Sequence, residues 1–264
     1  MVRRPRAVPR PQYPHAERFD VPAQGPGRPL TDRLFGWGRR AEKESTPESA
    51  ESAGATAERT VATKAFARFL HALSLREKPA LLDLGPIVGG NVNFLGERLG
   101  CKYQVEDLYQ NIESHVKTKN PPDLAAFFDK RFPQADASVD GVLCWDVLDY
   151  LDKASAQVVA KQMTRILKPG GAVFGFFSTV ASTEKEYTRY VIVNDTTLKL
   201  RSAAGSRARQ QVFANRDINR LFEGLNVSDS FLLLTKTREI IFRKPEAKAG
   251  ASATATPAPP APSS

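Results

Sequence analysis

A carboxylate followed by a glycine-rich turn lies near the middle of this 264-residue chain, in the stretch PALLDLGPIVGGNVNFLGERLG. Leu81, Leu82 and Leu84 predict a buried strand that carries Asp83 at its end. The turn and the start of the next helix contain small residues, which let backbone approach a ligand, and a predicted helix cap: Gly85, Pro86, Gly89, Gly90 and Asn91. A strand, a tight turn and a helix in this order are typical of a nucleoside-binding corner.

A second acidic site follows the segment CKYQVEDLY, whose alternation of apolar and polar residues predicts a short strand. Glu106 and Asp107 come at the end of that strand. A carboxylate there offers two acceptor oxygens to two donors at charge-assisted strength. The spacing slightly favours Asp107, and the sequence leaves both residues open as candidates.

A third group of polar residues comes with the segment FPQADASVDGVLCWDVLDYLD, which predicts a strand over Val142 and Leu143. Cys144, Trp145 and Asp146 are expected at the carboxyl end of this strand, and that end faces the ligand crevice in open parallel sheets. Tyr150 begins the next turn.

The order of these segments resembles the motifs of class I S-adenosylmethionine-dependent methyltransferases. A fourth segment, ASAQVVAKQMTRILKPGGAVFGFFS, adds the helix, L-K-P-G-G turn and apolar strand that belong to the same pattern, so that the resemblance spans about 100 residues. A dinucleotide-binding fingerprint fits less well, because Ile87 stands where its second glycine is required. The same Ile87 departs from the G-x-G-x-G turn of the methyltransferases.

The resemblance implies an α/β fold: a doubly wound, mostly parallel, seven-stranded Rossmann-like sheet with an antiparallel edge strand. It implies that S-adenosyl-L-methionine is the cofactor and that Glu106 or Asp107 accepts hydrogen bonds from its ribose hydroxyls. The expected cofactor-binding residues are Asp83, Gly85, Pro86, Gly89, Gly90, Asn91, Glu106, Asp107, Cys144 and Trp145. Methyl transfer would be an in-line displacement at the carboxyl edge of the sheet, with Asp146 and Tyr150 as the candidates that orient or deprotonate the acceptor.

Composition divides the chain into a central domain and two tails. Residues 1–54 are rich in Arg and Pro and are predicted to be disordered, as is the Pro, Ala and Ser tail at 246–264. Residues 55–245 form the expected methyltransferase-like domain. Within it, residues 183–214 are predicted to form an inserted hairpin or lid that pairs RYVIV with TLKLR.

Two other functions stay open, one because of the formal charge of +9 and the other because Ile87 interrupts the glycine turn and no general base is obvious. The basic segment 199–220 could bind nucleic acid, and a chain with this fold could be a non-catalytic binding or scaffold protein. A small-molecule acceptor is the favoured partner, while its identity and the oligomeric state stay open.

The remaining composition bears on location and metals. No apolar run is long enough for a membrane span, the opening residues lack the apolar core of a secretory signal, and there are two cysteines, which together predict a cytoplasmic protein. Three scattered His and two distant Cys suggest no metal site.

Overall fold

A computed structural model describes residues 58–118 and 123–246 of the chain. The helices are α1 Ala65–Ser74, α2 Gly89–Leu99, α3 Leu108–Lys117, α4 Leu124–Asp129, α5 Lys153–Ile166 and α6 Asn215–Leu221, and a short 3₁₀ helix spans Val147–Tyr150. The strands are β1 Glu58–Ala62, β2 Ala80–Asp83, β3 Lys102–Val105, β4 Val139–Trp145, β5 Leu167–Ser178, β6 Glu186–Asn194, β7 Thr197–Ala204, β8 Asn226–Leu232 and β9 Thr237–Arg243. The predicted disordered tails lie outside the described residues, and the predicted domain limits stay predictions. Of the helices in the described ranges, none has the length and apolar character to span a bilayer.

The main sheet has the strand order β3-β2-β4-β5-β9-β8. Strands β3, β2, β4 and β5 run parallel, and β9 pairs antiparallel with both β5 and β8. This confirms the α/β class and the antiparallel edge. The prediction of seven strands was wrong for the described residues, which give this sheet six. The stretch of residues 123–138 forms α4 and turns where a further strand would be needed.

Apolar cores cover both faces of the main sheet, because successive residues of a strand point to opposite sides. Leu82 and Val142 belong to the core beneath α3, α4, α5 and α6. Leu81 and Leu143 belong to the other core, which contains the buried face of α1. The buried residues of α1 fall at i, i+3, i+4 and i+7, as the sequence predicts: Phe66, Phe69, Leu70 and Leu73.

A second, three-stranded antiparallel sheet has the order β1-β7-β6. Its β6–β7 pair contains the hairpin predicted from the sequence, with Arg189 opposite Arg201 and Ile192 opposite Leu198. Strand β1 adds to the outer side of β7. Tyr190, Ile192 and Leu198 are buried in the α1-side core, so this sheet is packed against the main one. Its role as a lid stays a prediction.

The prediction that Asn91 caps α2 was wrong. The cap position is taken by Val88, whose backbone is extended, and Asn91 lies inside the helix. Its buried side chain instead pairs with β6, since Nδ2 donates to the Tyr190 carbonyl oxygen and Oδ1 accepts from the Ile192 N–H, both at 2.8 Å. A buried amide needs partners, and here the hairpin provides them.

A glutamate of β9 caps α1. The fully buried Glu239 carboxylate accepts from the Lys64 N–H at 2.6 Å, the Ala65 N–H at 3.0 Å and the Thr63 hydroxyl. The first N–H groups of a helix have no partner within the helix and carry partial positive charge, so a carboxylate is well matched to them. This contact fixes α1 to the centre of the antiparallel edge.

Replacing Glu239 with Ala is therefore expected to lower the free energy of unfolding by about 3 kcal/mol, because it leaves buried donors unpaired. Urea unfolding followed by circular dichroism measures the change. Glu223→Ala, at an exposed position, is the matched control and is expected to change stability by less than about 0.5 kcal/mol. Equal effects of the two substitutions would contradict the capping role.

Candidate active site

Backbone hydrogen bonds join the two acidic strand ends predicted from the sequence. The Glu106 N–H donates to the Asp83 carbonyl oxygen at 2.8 Å, and the Leu108 N–H donates to the Leu84 carbonyl oxygen at 3.1 Å. These bonds continue the parallel pairing of β2 and β3 past the last residues of both strands. The turn that begins at Gly85 and the carboxylates at 106 and 107 therefore lie side by side at the carboxyl edge of the sheet.

The Asp83 carboxylate is fully buried and holds three strand ends together. Oδ1 accepts from the Gly85 N–H at 2.8 Å and from Trp145 Nε1 at 2.7 Å, and Oδ2 accepts from the Tyr103 hydroxyl at 2.5 Å. Burial raises the pKa of Asp83 to about 6, although these three donors oppose the rise. Burial and the neighbouring Asp83 likewise raise the pKa of Tyr103.

The glycine turn has one closed side and one open side. A Cβ added to Gly85 would lie 2.7 Å from Trp145 Cδ1, so the indole already fills that side of the turn. At Gly89 and Gly90 an added Cβ would meet no atom of the described residues within 4 Å. Ile87 points away from the core, with 70% of its surface exposed. A ligand therefore has room along Gly89 and Gly90, and Ile87 does not obstruct the buried part of the turn.

Trp145 connects the turn to the second sheet. Its backbone is left-handed, with φ at 49°, which is uncommon for a bulky residue and costs about 1 kcal/mol. The indole stacks on Tyr190 of β6, with ring centroids 4.9 Å apart and planes 5° apart, and Tyr190 stacks in turn on Phe176. Cys144 lies in the opposite core, where burial raises the pKa of its thiol.

The two candidate ribose carboxylates differ in their partners. Glu106 forms an ion pair with Arg131 at 2.9 Å and accepts from Gln134 Nε2 at 3.4 Å. Asp107 caps α3 by accepting from the Gln110 N–H at 2.9 Å, and burial raises its pKa. Asp107 therefore has one oxygen left over beyond its cap.

A cavity of about 460 Å³ opens beside Glu106, lined by Gln104, Val105, Pro133 and Gln134 as well. The buried Gln134 Oε1 has no hydrogen-bond partner within the described part of the chain. An unpaired buried acceptor next to a cavity can receive a donor from a ligand. Sequence reasoning missed Gln134, because it stands in an irregular turn with no periodic pattern around it.

Asp146 and Tyr150, the predicted acceptor-side residues, lie in one buried cluster with two residues that sequence reasoning did not place there. Asp146 accepts from the Tyr109 hydroxyl through Oδ1 and from Arg209 through Oδ2, the latter at 3.1 Å. The Arg209 guanidinium carbon lies 5.7 Å from the centre of the Tyr150 ring. Burial, followed by the charge of Asp146, raises the pKa of Tyr150.

Asp149 completes this cluster and anchors the loop that carries Arg209. Its Oδ2 accepts from the Ser178 N–H at 2.8 Å, and its carbonyl oxygen accepts from the N–H groups of Gln210 and Gln211 at 2.6 and 3.1 Å. Burial and the neighbouring Asp146 raise the pKa of Asp149 well above its ordinary value. The loop after β7 is thereby fixed over the ends of β4 and β5.

The inserted segment also contacts α3. Tyr187 stacks on Tyr109 with centroids 5.2 Å apart, and the Ser206 N–H donates to Glu113 Oε1 at 2.7 Å. Together with the Asn91 and Trp145 contacts, these interactions place β6 and the loop after β7 across the carboxyl edge of the main sheet.

Segment 199–220 contains six Lys and Arg residues, and three of them form ion pairs within the chain. Lys199 and Arg201 both pair with Glu58, at 3.2 and 2.6 Å, and Arg209 pairs with Asp146. The other three are Arg207, Arg216 and Arg220. The charge of this segment therefore serves in part to hold the second sheet and its loop together.

Comparison with known proteins identifies the family. The sequence model of a methyltransferase domain matches residues 57–228, which is well over half of the chain. No curated protein matches the sequence significantly.

Among solved structures, one similar chain is the 1,6-didemethyltoxoflavin-N1-methyltransferase of Burkholderia thailandensis, with bound 1,6-didemethyltoxoflavin and S-adenosylhomocysteine. It is 16% identical, with 69% of this chain and 78% of that chain covered and a TM-score of 0.43. The CcbJ methyltransferase of Streptomyces caelestis is 15% identical, with 68% and 88% covered and a TM-score of 0.41. With TM-scores this low, these similarities add nothing to the family assignment, which stands on the family model.

The raised pKa of Asp83 predicts how stability depends on pH. The folded protein keeps the Asp83 proton up to about pH 6, whereas the unfolded chain releases it near 3.8, so stability falls as pH rises through this window. Asp83→Asn cannot ionise, so relative to this variant the natural protein is expected to lose up to about 3 kcal/mol between about pH 4 and pH 7. Urea unfolding across this range measures the difference. The exposed Asp136→Asn is the control, and parallel curves for Asp83→Asn and the natural protein would contradict the assignment.

The two sides of the glycine turn predict opposite outcomes for the same substitution. Gly85→Ala forces its Cβ against the Trp145 ring and is expected to cost about 1–3 kcal/mol in the free energy of unfolding. Gly89 is the first residue of α2, and a methyl group added there would meet no neighbouring atom of the described residues. Gly89→Ala is therefore expected to leave the free energy of unfolding unchanged or to raise it by less than about 1 kcal/mol. Thermal unfolding of the two variants compares them directly, and equal destabilisation would show that the indole does not fill the Gly85 side.

Proposed function

We propose that this chain, which belongs to the methyltransferase-domain family, methylates a small-molecule acceptor at the carboxyl edge of its main sheet. The cofactor of the family is S-adenosylmethionine. The observation that carries the proposal is the pair of backbone hydrogen bonds that bring the glycine turn beside the carboxylates at 106 and 107. A nucleoside needs both features at once: small residues for its close approach and acceptors for its hydroxyls.

The described residues fit the cofactor. Asp107, with an oxygen beyond its cap, would accept from the ribose hydroxyls, and the unpaired Gln134 Oε1 would accept from the exocyclic amine of adenine. Gly89 and Gly90 leave space for the remainder along the turn. Asp83 would act by holding the turn in shape, since its oxygens already serve Gly85, Tyr103 and Trp145. Pro86 and Cys144 remain cofactor-binding candidates from the sequence.

S-adenosylmethionine, when bound, supplies a methyl group already activated by its sulfonium, so the protein mainly has to align the acceptor and exclude water. Asp146 is at the end of β4, where it can orient an acceptor or receive the proton that the acceptor loses. Tyr150 lies in the same cluster and would shape the space around the acceptor. The carbon–acceptor bond forms as the carbon–sulfur bond breaks, and the sulfur keeps the electron pair.

A small acceptor is favoured because the carboxyl edge is covered. Strand β6 and the loop after β7 cross it, and Trp145 and Asp146 are buried beneath them. A macromolecule would need this cover displaced over a wide area. The internal ion pairs of Lys199, Arg201 and Arg209 also reduce the charge that segment 199–220 could offer to a phosphate backbone.

A matched pair of substitutions tests which carboxylate holds the ribose. Asp107→Asn keeps the helix cap, since Asn caps as well as Asp, but loses charge-assisted bonds, so the Kd for S-adenosylhomocysteine is expected to rise at least about tenfold. Glu106→Gln is expected to change the Kd less than about threefold, because Glu106 is used by Arg131. Isothermal titration calorimetry measures both. A larger effect of Glu106→Gln would reverse the assignment, and no binding to the natural protein would sink the proposed function.

A further inference from the structure

We propose that Arg209 occupies the place of the methyl acceptor, and that the acceptor is a small amine or guanidine that binds as its cation and displaces the Arg209 guanidinium from Asp146. The bound cation gives one proton to Asp146, and the nitrogen lone pair freed in this way attacks the methyl carbon as the carbon–sulfur bond breaks. This inference rests on the proposed function, because it assigns the substrate class of that same site.

The surroundings of the Arg209 guanidinium are those of a cation-binding site. Asp146 lies at 3.1 Å and Asp149 at 3.9 Å, and the Tyr150 ring lies beneath the guanidinium at 5.7 Å. A carboxylate beside an aromatic face is the arrangement that recognises ammonium and guanidinium ligands. Tyr109 fixes the other Asp146 oxygen through its hydroxyl, so that the carboxylate is held in one orientation.

The site has polar capacity that Arg209 does not use. Asp149 is fully buried, and its Oδ1 atom has no hydrogen-bond partner among residues 58–118 and 123–246. The buried Nε atom of Arg209 has none there either. Buried polar atoms are normally paired, so an unpaired acceptor and an unpaired donor this close together indicate that the Arg209 fit is incomplete. A cationic ligand with several N–H groups would favour the ionised form of Asp149 and could donate to the oxygen that Arg209 leaves free.

Arg209 can leave without unfolding the site. It belongs to the stretch between β7 and α6, which has no helix or strand, and about a quarter of its side chain is exposed to solvent. Its long side chain can swing outward while the backbone bonds from Gln210 and Gln211 to Asp149 stay in place. Removal of Arg209 alone leaves Asp146 buried without a counter-ion, although the Tyr109 hydroxyl still donates to it, and this is costly, so the replacement must itself be a cation.

The same charges exclude anionic acceptors. Among the described residues, the ionisable groups that face Arg209 are Asp146, Asp149, Tyr150 and Tyr190, and none of them is a cation. An acidic acceptor that displaced Arg209 would lie next to the Asp146 carboxylate, whose charge Arg209 would no longer balance. The repulsion between the two negative charges would reject it.

Displacement of Arg209 is tested in the natural full-length chain by nuclear magnetic resonance of the Arg209 Nε–Hε group. Methylguanidinium is expected to shift this signal, while N-methylurea, which has nearly the same shape without the charge, leaves it in place. The signal of the exposed Arg216 is the internal control. Titrations with and without S-adenosylhomocysteine separate the two proposals, because failure of the nucleoside to bind counts against methyl transfer and not against the cation site.

Arg209→Met, which keeps an aliphatic side chain over Tyr150, removes the internal competitor. Its Kd for methylguanidinium is expected to be at least about tenfold lower than that of the natural protein. In the natural protein, the apparent affinity is reduced to the fraction of molecules whose site is not occupied by Arg209. Arg216→Met is expected to leave the Kd unchanged. In the Arg209→Met background, Asp146→Asn is expected to abolish binding.

Two results would overturn the inference. One is an Arg209 signal in the natural protein that does not move at methylguanidinium concentrations about 100-fold above the Kd of Arg209→Met. The other is equal binding of methylguanidinium and N-methylurea. If Arg209→Met does not fold, the Arg209 signal of the natural protein decides the question at the highest methylguanidinium concentration at which the protein stays folded, and a signal that does not move there overturns the inference.

Discussion

The buried carboxylate of Asp83 is the contact on which the rest of this site depends. It joins the end of β2 to its own glycine turn, to Tyr103 of β3 and to Trp145 of β4, so that three parallel strands end in one fixed arrangement. Burying a carboxylate is unfavourable unless donors surround it, and three donors surround this one. These donors do not fully offset the cost of burial, and the pKa of Asp83 is raised as a result. The geometry of the turn, and therefore the room for a nucleoside, follows from this contact.

Trp145 links the Asp83 carboxylate to the second sheet. Because its indole donates to Asp83 and stacks on Tyr190, the position of β6 is coupled to the shape of the glycine turn. Asn91 makes the same connection from the side of α2. The neighbouring Asp146 then pairs with Arg209 from the loop after β7. The proposed cofactor side and the proposed acceptor side are thus linked through Trp145 and Asp146, which are consecutive in the chain, and the inserted segment contacts both.

Local patterns in the sequence were enough to predict β2 with its turn, the buried stripe of α1 and the β6–β7 hairpin, since each depends on neighbours within a few residues. The contacts that define the site could not be predicted in this way. The partners of Asp146, Glu239 and Asn91 are far away in the chain, and single-sequence periodicity carries no information about such pairs. Arg209 illustrates the limit: its segment suggests a solvent-facing phosphate binder, whereas folding directs it to a buried carboxylate. Asn is a residue type that commonly caps helices, yet the N-cap of α2 is Val88, which has an extended backbone.

The most direct measurement of the central claim is a crystal structure of the chain with S-adenosylhomocysteine bound. We expect the ribose to lie against Asp107, the remainder of the nucleoside along Gly89 and Gly90, and the sulfur to face the Asp146 cluster. A nucleoside bound elsewhere on the chain, or one whose ribose does not contact Asp107, would contradict this expectation.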